Sequence, residues 1–320
     1  MDGAKVNILL STFCGESYLP DQLSSIVEQK NVDWHLFWRD DGSNDRSVNY
    51  VQKFSEKNPR CVTSVDIHTG RIGAAKAYMA LLEAAPEDGF FAFCDQDDVW
   101  LPDKLSRAIR KLQQSPAHVP ALYCTRQRLV DQDLKPIGLS PSLRYSPSFG
   151  NALVQNIASG CTIVMNAAAR RVILAVQMPD ISVHDWWAYL LVTGAGGRVI
   201  FDNTPSILYR QHRTNAIGSS PSPFLRARGV IQRGPLPFLR ILAAHLKALD
   251  RAILTSEAHE LINLLRDIEK EGFILRAIQL RRAGLRRQGI LEDILLWAWL
   301  GFYRYPRRGN ETSALFEKVS

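Results

Sequence analysis

The sequence has few cysteines and no CxxC pair: Cys14, Cys61, Cys94, Cys124 and Cys161 stand far apart. Such spacing argues against a disulfide framework or a zinc site and is expected of reduced core residues in a cytosolic protein. No run of about 18 or more uncharged apolar residues occurs, so no membrane-spanning helix is expected. No basic stretch followed by an apolar one opens the chain, so no signal peptide is expected. Glycine is sparse where a phosphate loop would need it: Ser11–Glu16, after the first apolar run, holds a single glycine. That counts against a nucleotidyltransferase built on a glycine-rich loop. Internal repeats are absent too.

The 320 residues suffice for one large domain with a sizeable appendage, and the 46% apolar and 22% charged fractions are those of a globular protein. Net charge is +7 and unevenly placed: residues 221–320 hold 17 Lys and Arg against 10 Asp and Glu, whereas the first 220 hold 22 of each. A basic tail on a neutral body points to an anionic contact, either a membrane surface or a nucleic acid. Outside 297–305 the tail's arginines lack the interleaved aromatics of a stacking platform, so no nucleic acid partner is expected.

Apolar runs alternate with helical periodicity over the first 115 residues. Strands are expected at Val6–Leu10, His35–Trp38, Val62–Ile67 and Phe90–Cys94. Helices are expected from Pro20, over Ser47–Phe54, over Ala74–Ala85 and from Pro102; proline's missing N–H costs little in a first turn. This order predicts an α/β fold with a mostly parallel central sheet flanked by helices. Further on, strands are expected at Ala121–Thr125, Gly160–Met165 and Arg198–Phe201, and helices at Ala167–Gln177 and Asp185–Thr193. Ser219–Pro237 is rich in Pro, Ser, Gly and Arg and reads as a linker, with helix beyond it to about Phe302. The expected organisation is a catalytic domain over 1–218 (halves 1–115 and 116–218), a linker over 219–237 and a basic helical region over 238–320.

One stretch carries most of the chemistry. Phe90-Phe91-Ala92-Phe93-Cys94 suits a buried strand, and it ends in Asp95-Gln96-Asp97-Asp98. Three carboxylates in four positions are costly to bury, so they must meet solvent, a cation or both. Hard oxygen ligands suit Mg²⁺ or Mn²⁺, ions that share their shell with substrate phosphates. Ser11-Thr12-Phe13 and Asp40-Asp41 also end expected strands, and in such sheets ligands bind beyond the strands' carboxyl ends. Read alone, Asp40-Asp41-Gly42-Ser43 is an ordinary turn, Asp185 an N-cap residue and His212 a surface or core histidine. Trp186 and Trp187 take diverging helical positions, so one of them is a candidate to stack on a sugar ring.

Together these segments resemble the bacterial family 2 glycosyltransferases of the GT-A fold, most of all the rhamnosyltransferase-type enzymes of surface polysaccharide assembly. The resemblance runs from about Asn7 to Gly218. It rests on Leu10-Ser11-Thr12-Phe13-Cys14-Gly15-Glu16, on Arg39-Asp40-Asp41-Gly42-Ser43-Asn44-Asp45, and on Asp95-Gln96-Asp97-Asp98-Val99-Trp100-Leu101-Pro102-Asp103-Lys104-Leu105. His184-Asp185-Trp186-Trp187 and Tyr209-Arg210-Gln211-His212-Arg213-Thr214-Asn215 complete it. The resemblance implies roles position by position. Asp97 would bind the metal, with His212 as a second metal or diphosphate contact. Asp95 would lie between metal and donor. Asp41 would accept the imide N–H of uracil or thymine, Phe13 would lie against the base, and Ser11, Glu16 and Lys76 would complete the donor site. Asp185 would be the catalytic base, and Gly160, Trp186 and Trp187 would lie on the acceptor side. Two departures stand out: Phe13-Cys14 replaces the usual Tyr-Asn, and Lys76 stands where Asn or Arg is common.

The implied enzyme is inverting and metal-dependent, with Mn²⁺ or Mg²⁺ as cofactor. It would take a dTDP- or UDP-sugar and a glycan acceptor, free or lipid-linked. In the tail, Ile290–Arg308 joins an aromatic-rich apolar helix to a basic end. It is too short to span a bilayer, and two placements are open: in the membrane interface, or packed on the catalytic domain or a partner copy. The expected location is the cytoplasm, with peripheral contact at the inner face of the cell membrane in the first case.

Overall fold

In the computed structural model, which describes residues 4–66, 70–212, 232, 234–266 and 273–301, the first apolar run is the middle of a longer strand, β1 (Ala4–Thr12). The chain continues through α1 (Leu19–Val27), β2 (Val32–Asp40), α2 (Ser47–Lys57), β3 (Val62–Ser64), α3 (Ala74–Ala84), β4 (Phe90–Cys94), β5 (Val99–Trp100) and α4 (Lys104–Leu112). The second half supplies β6 (Ala121–Thr125), β7 (Arg128–Val130), β8 (Pro136–Leu139), α5 (Phe149–Val154), β9 (Val164–Asn166), α6 (Ala167–Leu174), α7 (His184–Gly194), β10 (Arg198–Asp202) and β11 (Ile207–Arg210). Four further helices follow: α8 (Leu236–Leu249), α9 (Ser256–Arg266), α10 (Phe273–Arg282) and α11 (Ile290–Gly301).

The main sheet has seven strands in the order β10-β6-β9-β4-β1-β2-β3. β1 pairs in parallel with β2 and β4, β2 with β3, and β6 with β10, while β9 runs against both its neighbours. Parallel strands are covered on both faces and need apolar residues on both. Ile8, Leu9 and Leu10 are accordingly all buried. One face carries α1, α2 and α4, and the other α3 and α5–α7. The expected α/β architecture with a mostly parallel sheet is therefore present.

A second sheet, β5-β11-β7-β8, decides where the carboxylates end up. β5 begins one residue after Asp98, and β11 pairs with it antiparallel, with Leu208 opposite Val99. Continuing that register brings Arg210 beside Asp97. The sequence's last motif is thus folded back onto its third.

Several boundaries differ from expectation. Gly160–Met165 is not one strand: a 3₁₀ turn over Gly160–Thr162 leads into β9. The N–H groups of Thr162 and Ile163 bond back to Ser159 and Gly160 at 2.9 Å, which closes the turn. The third strand stops at Ser64, and Ile67 lies outside the described residues. The helix expected over 167–177 ends at Leu174, ahead of Pro179. Most of the expected linker, 219–231 and 233, lies outside the described residues, as do Arg213–Asn215 and Phe302–Arg308. The rest of the linker range already enters α8 at Leu236.

The late helices share the core on the α3–α7 face. Leu242, Leu246 and Leu249 of α8, Leu265 of α9, and Leu296 and Leu300 of α11 are buried in it. Burying such side chains contributes about 1.5–3 kcal/mol each. Approach is close enough to require a glycine: a Cβ on Gly150 of α5 would lie 2.5 Å from the backbone of Gly284, before α11. His245 of α8 is buried too, with Nε2 2.7 Å from the Ser182 hydroxyl and its ring edge-on to Trp186 at 5.2 Å.

Burial pulls the His245 imidazole down to about 4. Below its ordinary value of 6.5 the unfolded chain binds a proton that the folded one refuses until about pH 4. Stability is therefore expected to fall as pH falls across that window. His245→Gln, which keeps a donor for Ser182 but does not titrate, is expected to show a shallower decline in Tm between pH 7 and 4.5. An equally steep decline would remove His245 from the account.

Candidate active site

The donor side is built where β1 and β2 end in register, Ser11 opposite Arg39 and Thr12 opposite Asp40. Asp40 folds the following turn, accepting the N–H groups of Gly42 and Ser43 at 3.0 and 2.7 Å and the Thr12 hydroxyl at 2.8 Å. Asp41 is buried, and its Oδ1 accepts from the Arg39 guanidinium and the Ile72 amide, both at 2.7 Å. Its Oδ2 accepts the Gly73 N–H at 2.8 Å, which leaves that oxygen a free lone pair. Burial pushes the Asp41 carboxyl up, but the two amides and Arg39 outweigh it and hold the carboxyl below the usual range. Arg39 also reaches the Gly70 carbonyl at 2.7 Å. The pair Arg39–Asp41 thus fixes residues 70–73 and presents Arg71, whose guanidinium lies 3.9 Å over the Phe13 ring. Arg71 thus covers one face of the Phe13 ring. Phe13 is tied in both directions to Gln96, N–H to Oε1 at 2.8 Å and Nε2 to carbonyl at 2.9 Å.

The carboxylate cluster has unequal members. The Tyr78 hydroxyl donates to Asp95 at 2.6 Å. Burial first, and then the Asp97 charge, push the Asp95 carboxyl up to about 7. Asp97 faces solvent more and lies 2.8 Å from His212 Nε2. Asp98 is fully buried: Oδ1 accepts the Arg210 N–H at 3.2 Å, and Oδ2 finds no partner among the described residues. Burial, Asp97 and Asp95 push its carboxyl upward. Basic side chains come from three sides. Arg210 bonds the Asp97 carbonyl at 3.0 Å and Asp21 at 2.8 Å, and Tyr18 stacks on His212 at 4.6 Å. Behind the cluster Lys104 is wholly buried, 2.8 Å from the Cys161 carbonyl and 4.5 Å from the Trp100 ring centre. Burial pulls its ammonium down to about 8.

Asp185 opens α7 from the other half of the sheet. It accepts the Gly160 N–H at 3.0 Å and the Trp186 N–H at 2.6 Å. Its charge contributes to raising the Asp95 carboxyl. A Cβ on Gly160 would lie 2.7 Å from His184 Nε2, so the turn tolerates only glycine there. His184 is itself held between Tyr78 at 4.1 Å and Phe93 at 4.7 Å.

The structure thus brings Asp95, Asp97 and His212 together, with Asp185 and Gly160 near them and Asp41 and Phe13 on the base side. Three expected residues have other partners. Glu16 accepts from Arg46 at 3.0 Å and braces the β2–α2 loop. Lys76 pairs with Asp180 at 2.9 Å in solvent. Trp187 is corrected: it is wholly buried in the core and cannot meet an acceptor, because α7 turns that face to the sheet. Trp186 is half-buried with its indole N–H on the Ala152 carbonyl at 2.6 Å. Sequence reasoning missed Arg71, Tyr78, Lys104 and Arg210 as site residues. For Lys104 a signal existed: it shares a helical line with Ala108 and Leu112, an apolar face on which a cation needs a reason.

Comparison with known proteins agrees with this geometry. Residues 8–175, just over half the chain, match the family described as Glycosyl transferase family 2. The chain is 29% identical over 229 residues to the dTDP-rhamnosyl transferase RfbG of Shigella flexneri, covering 67% of this chain and 75% of that one. It is 25% identical over 194 residues to WfgD of Escherichia coli, a UDP-Glc:alpha-D-GlcNAc-diphosphoundecaprenol beta-1,3-glucosyltransferase, covering 60% and 71%. The crystal structure of S. aureus TarS 1-349 in complex with UDP-GlcNAc superposes with a TM-score of 0.56 at 16% identity, over 87% of this chain and 81% of that one. At that identity the likeness speaks for the fold.

The cluster fits a hard divalent cation: of its three carboxylates, one has a buried oxygen with no partner among the described residues and one is pushed up to about 7. Two donor sets are available. Asp95, Asp98 and Cys161 offer atoms within 4.8 Å of one another, but Asp98 and Cys161 are fully enclosed. Asp97 and His212 are the pair open to a diphosphate, so they are the better holders, with Asp95 beside them. Mn²⁺ titration of the protein followed by electron paramagnetic resonance is expected to show weaker binding at pH 6 than at pH 8. The Asp95 carboxyl, at about 7, holds a proton that the ion must displace. Asp97→Asn is expected to weaken binding about tenfold or more. Binding indifferent to both changes would refute this site.

Proposed function

The chain belongs to glycosyl transferase family 2, and on that footing we propose that it moves L-rhamnose from dTDP-β-L-rhamnose to a hydroxyl of a growing surface glycan, with inversion. It is a glycosyltransferase acting on nucleotide sugars in polysaccharide biosynthesis. The glycan would be an O-antigen, a capsule or a cell-wall polymer. The observation that carries the reading is a linkage across the sheet: Asp185, at the N-terminus of α7, follows His184, whose ring lies 4.1 Å from that of Tyr78, the hydroxyl partner of Asp95 at the end of β4.

Each side has its task. On the base side, Asp41 Oδ2 has the acceptor that an imide N–H of thymine or uracil needs. Phe13 supplies the apolar face, with Arg71 as its cover. Asp97 and His212 would hold the divalent ion, which when bound stabilises the negative charge of the departing nucleotide diphosphate. Arg210 and Tyr18 keep His212 and the Asp97 loop in place. Asp185 takes the proton of the acceptor hydroxyl as it attacks the anomeric carbon from the face opposite the diphosphate. The C–O bond to the diphosphate breaks as the new glycosidic bond forms, so a β-linked donor gives an α-linked product. Gly160 holds Asp185 through its N–H, and Trp186 flanks it.

A second reading keeps the chemistry and changes the donor. WfgD is named for UDP-Glc and TarS was solved with UDP-GlcNAc, and Asp41 serves uracil as well as thymine. A screen of dTDP-, UDP- and GDP-sugars for metal-dependent release of nucleotide diphosphate separates them. dTDP-rhamnose is expected to be turned over fastest, and use of GDP-sugars alone would overturn the role of Asp41. Asp185→Asn is expected to lower turnover by about 10²–10⁴ with donor affinity kept, as measured by calorimetry with dTDP. Full turnover by that variant would remove Asp185 as the base.

A further inference from the structure

Of the thirteen large apolar side chains exposed among the described residues, six belong to α10 and α11. Ile274, Leu275 and Ile278 share one face of α10, and Ile290, Leu291 and Ile294 repeat the same spacing on α11. All six are 45–75% exposed. The opposite faces are the ones that hold the fold, with Leu280, Leu296 and Leu300 buried in the core. Trp297 and Trp299 also pack toward that core. Each helix thus has a packed apolar stripe and a second one turned outward, where a helix of a water-soluble protein carries charge.

The charges around the outward stripes have one sign. Residues 273–301 contain two carboxylates, Glu292 and Asp293, and both are less than a tenth exposed. Glu292 accepts from Gln155 at 3.2 Å. Asp293 accepts from Arg281 at 3.0 Å and from the Arg287 N–H at 2.9 Å. Arg281 and Arg282 are exposed at the end of α10. Where α10 and α11 meet, a pocket of about 110 Å³ is lined by Arg144, Tyr145, Arg281, Arg287, Ile290 and Asp293. Arg286 lies 4.0 Å over the Tyr145 ring, and Arg144 lies 5.2 Å from it. With Arg144 and Arg286 on the Tyr145 ring and Arg281 and Arg287 beside it, against Asp293 as the one acid in the lining, the hollow beside exposed isoleucine carries net positive charge. Guanidinium pairs well with phosphate oxygens.

We infer that α10 and α11 seat this protein on an anionic phospholipid surface, the isoleucines entering the acyl boundary and the arginines of the Tyr145 pocket meeting lipid phosphates. The combination of exposed aliphatic side chains with an excess of arginine over acid is that of an interfacial helix pair. A second copy docked on the same face would set arginine against arginine across a two-fold axis. The inference is independent of which sugar is moved. It gives the enzyme a place beside glycans whose lipid carrier lies in the membrane.

Flotation of the full chain with vesicles tests it. Vesicles of phosphatidylcholine alone are compared with vesicles containing about 30% phosphatidylglycerol, at low and at about 0.5 M salt. The protein is expected to bind the anionic vesicles about tenfold more, and to lose most of that preference in high salt. Ile290→Asp with Ile294→Asp changes two exposed positions and is expected to cut binding about tenfold or more, with donor turnover on a soluble acceptor unchanged. Arg282→Glu, a single exposed change, is expected to weaken binding to anionic vesicles alone. Equal binding to both vesicle types, or undiminished binding by the isoleucine variant, would overturn the inference. So would light scattering that shows a dimer which the isoleucine variant dissolves, since a second copy would then cover the face. Loss of sugar transfer without loss of flotation would instead count against the proposed reaction only.

Discussion

Negative charge held at the end of a buried strand is the constraint on which the rest of this protein turns. β4 delivers Asp95, Asp97 and Asp98 to one place, and the sheet behind them offers no water. Uncompensated, such charge would be expelled or neutralised. The fold answers with two cations and a histidine. Lys104 is sealed behind Cys161, Arg210 is threaded from β11 between Asp97 and Asp21, and His212 lies at the open edge. Even so, Asp98 keeps an oxygen without a partner among the described residues, and Asp95 remains pushed toward neutrality. Carboxylates so short of partners among the described residues fit a divalent ion.

The same need explains the topology. Had β11 not paired with β5, Arg210 and His212 would lie far from the acids they compensate. The antiparallel β9 has a comparable part on the acceptor side. It lets the 3₁₀ turn before it point the Gly160 N–H at Asp185, while the close approach of His184 leaves no room for a side chain on that turn. Asp185 and the acids after β4 thus come from opposite halves of the sheet, and backbone N–H groups hold Asp185 in place. The helices from α8 onward add to the same core, and His245 grips the segment that leads into α7. Their packed and outward stripes show one element serving both the fold and a surface.

Much of this was legible in the residues. The alternation of apolar runs with helical periodicity marked the parallel strands, because a doubly covered strand must be apolar throughout. The three strand ends named the crevice, and the motif Asp95–Asp98 named its charge. What the residues could not show was direction. Trp186 and Trp187 read alike, yet α7 sends one to the core and leaves the other at the edge. Glu16 and Lys76 have the right types for a donor site and instead spend their charges on Arg46 and Asp180. Arg71 carried no pattern at all, since its place over Phe13 depends on a buried ion pair thirty residues earlier. The stretch from Ile290 read as an aromatic-rich apolar helix with no side preferred, but the tryptophans turn inward and the isoleucines outward.

The sequence by itself determined the class of chemistry: residue types and their local spacing set which strand ends bear carboxylates, and the cost of burying charge says they need a counterion. It also determined the α/β alternation, since hydrophobic period is a local property. Only the tertiary structure decided which carboxylate is enclosed and which is open, and which lysine, arginine and histidine answer them. It alone showed which face of each late helix is free. Those outcomes depend on strand register and helix rotation, and both are settled by contacts between residues as much as 189 positions apart.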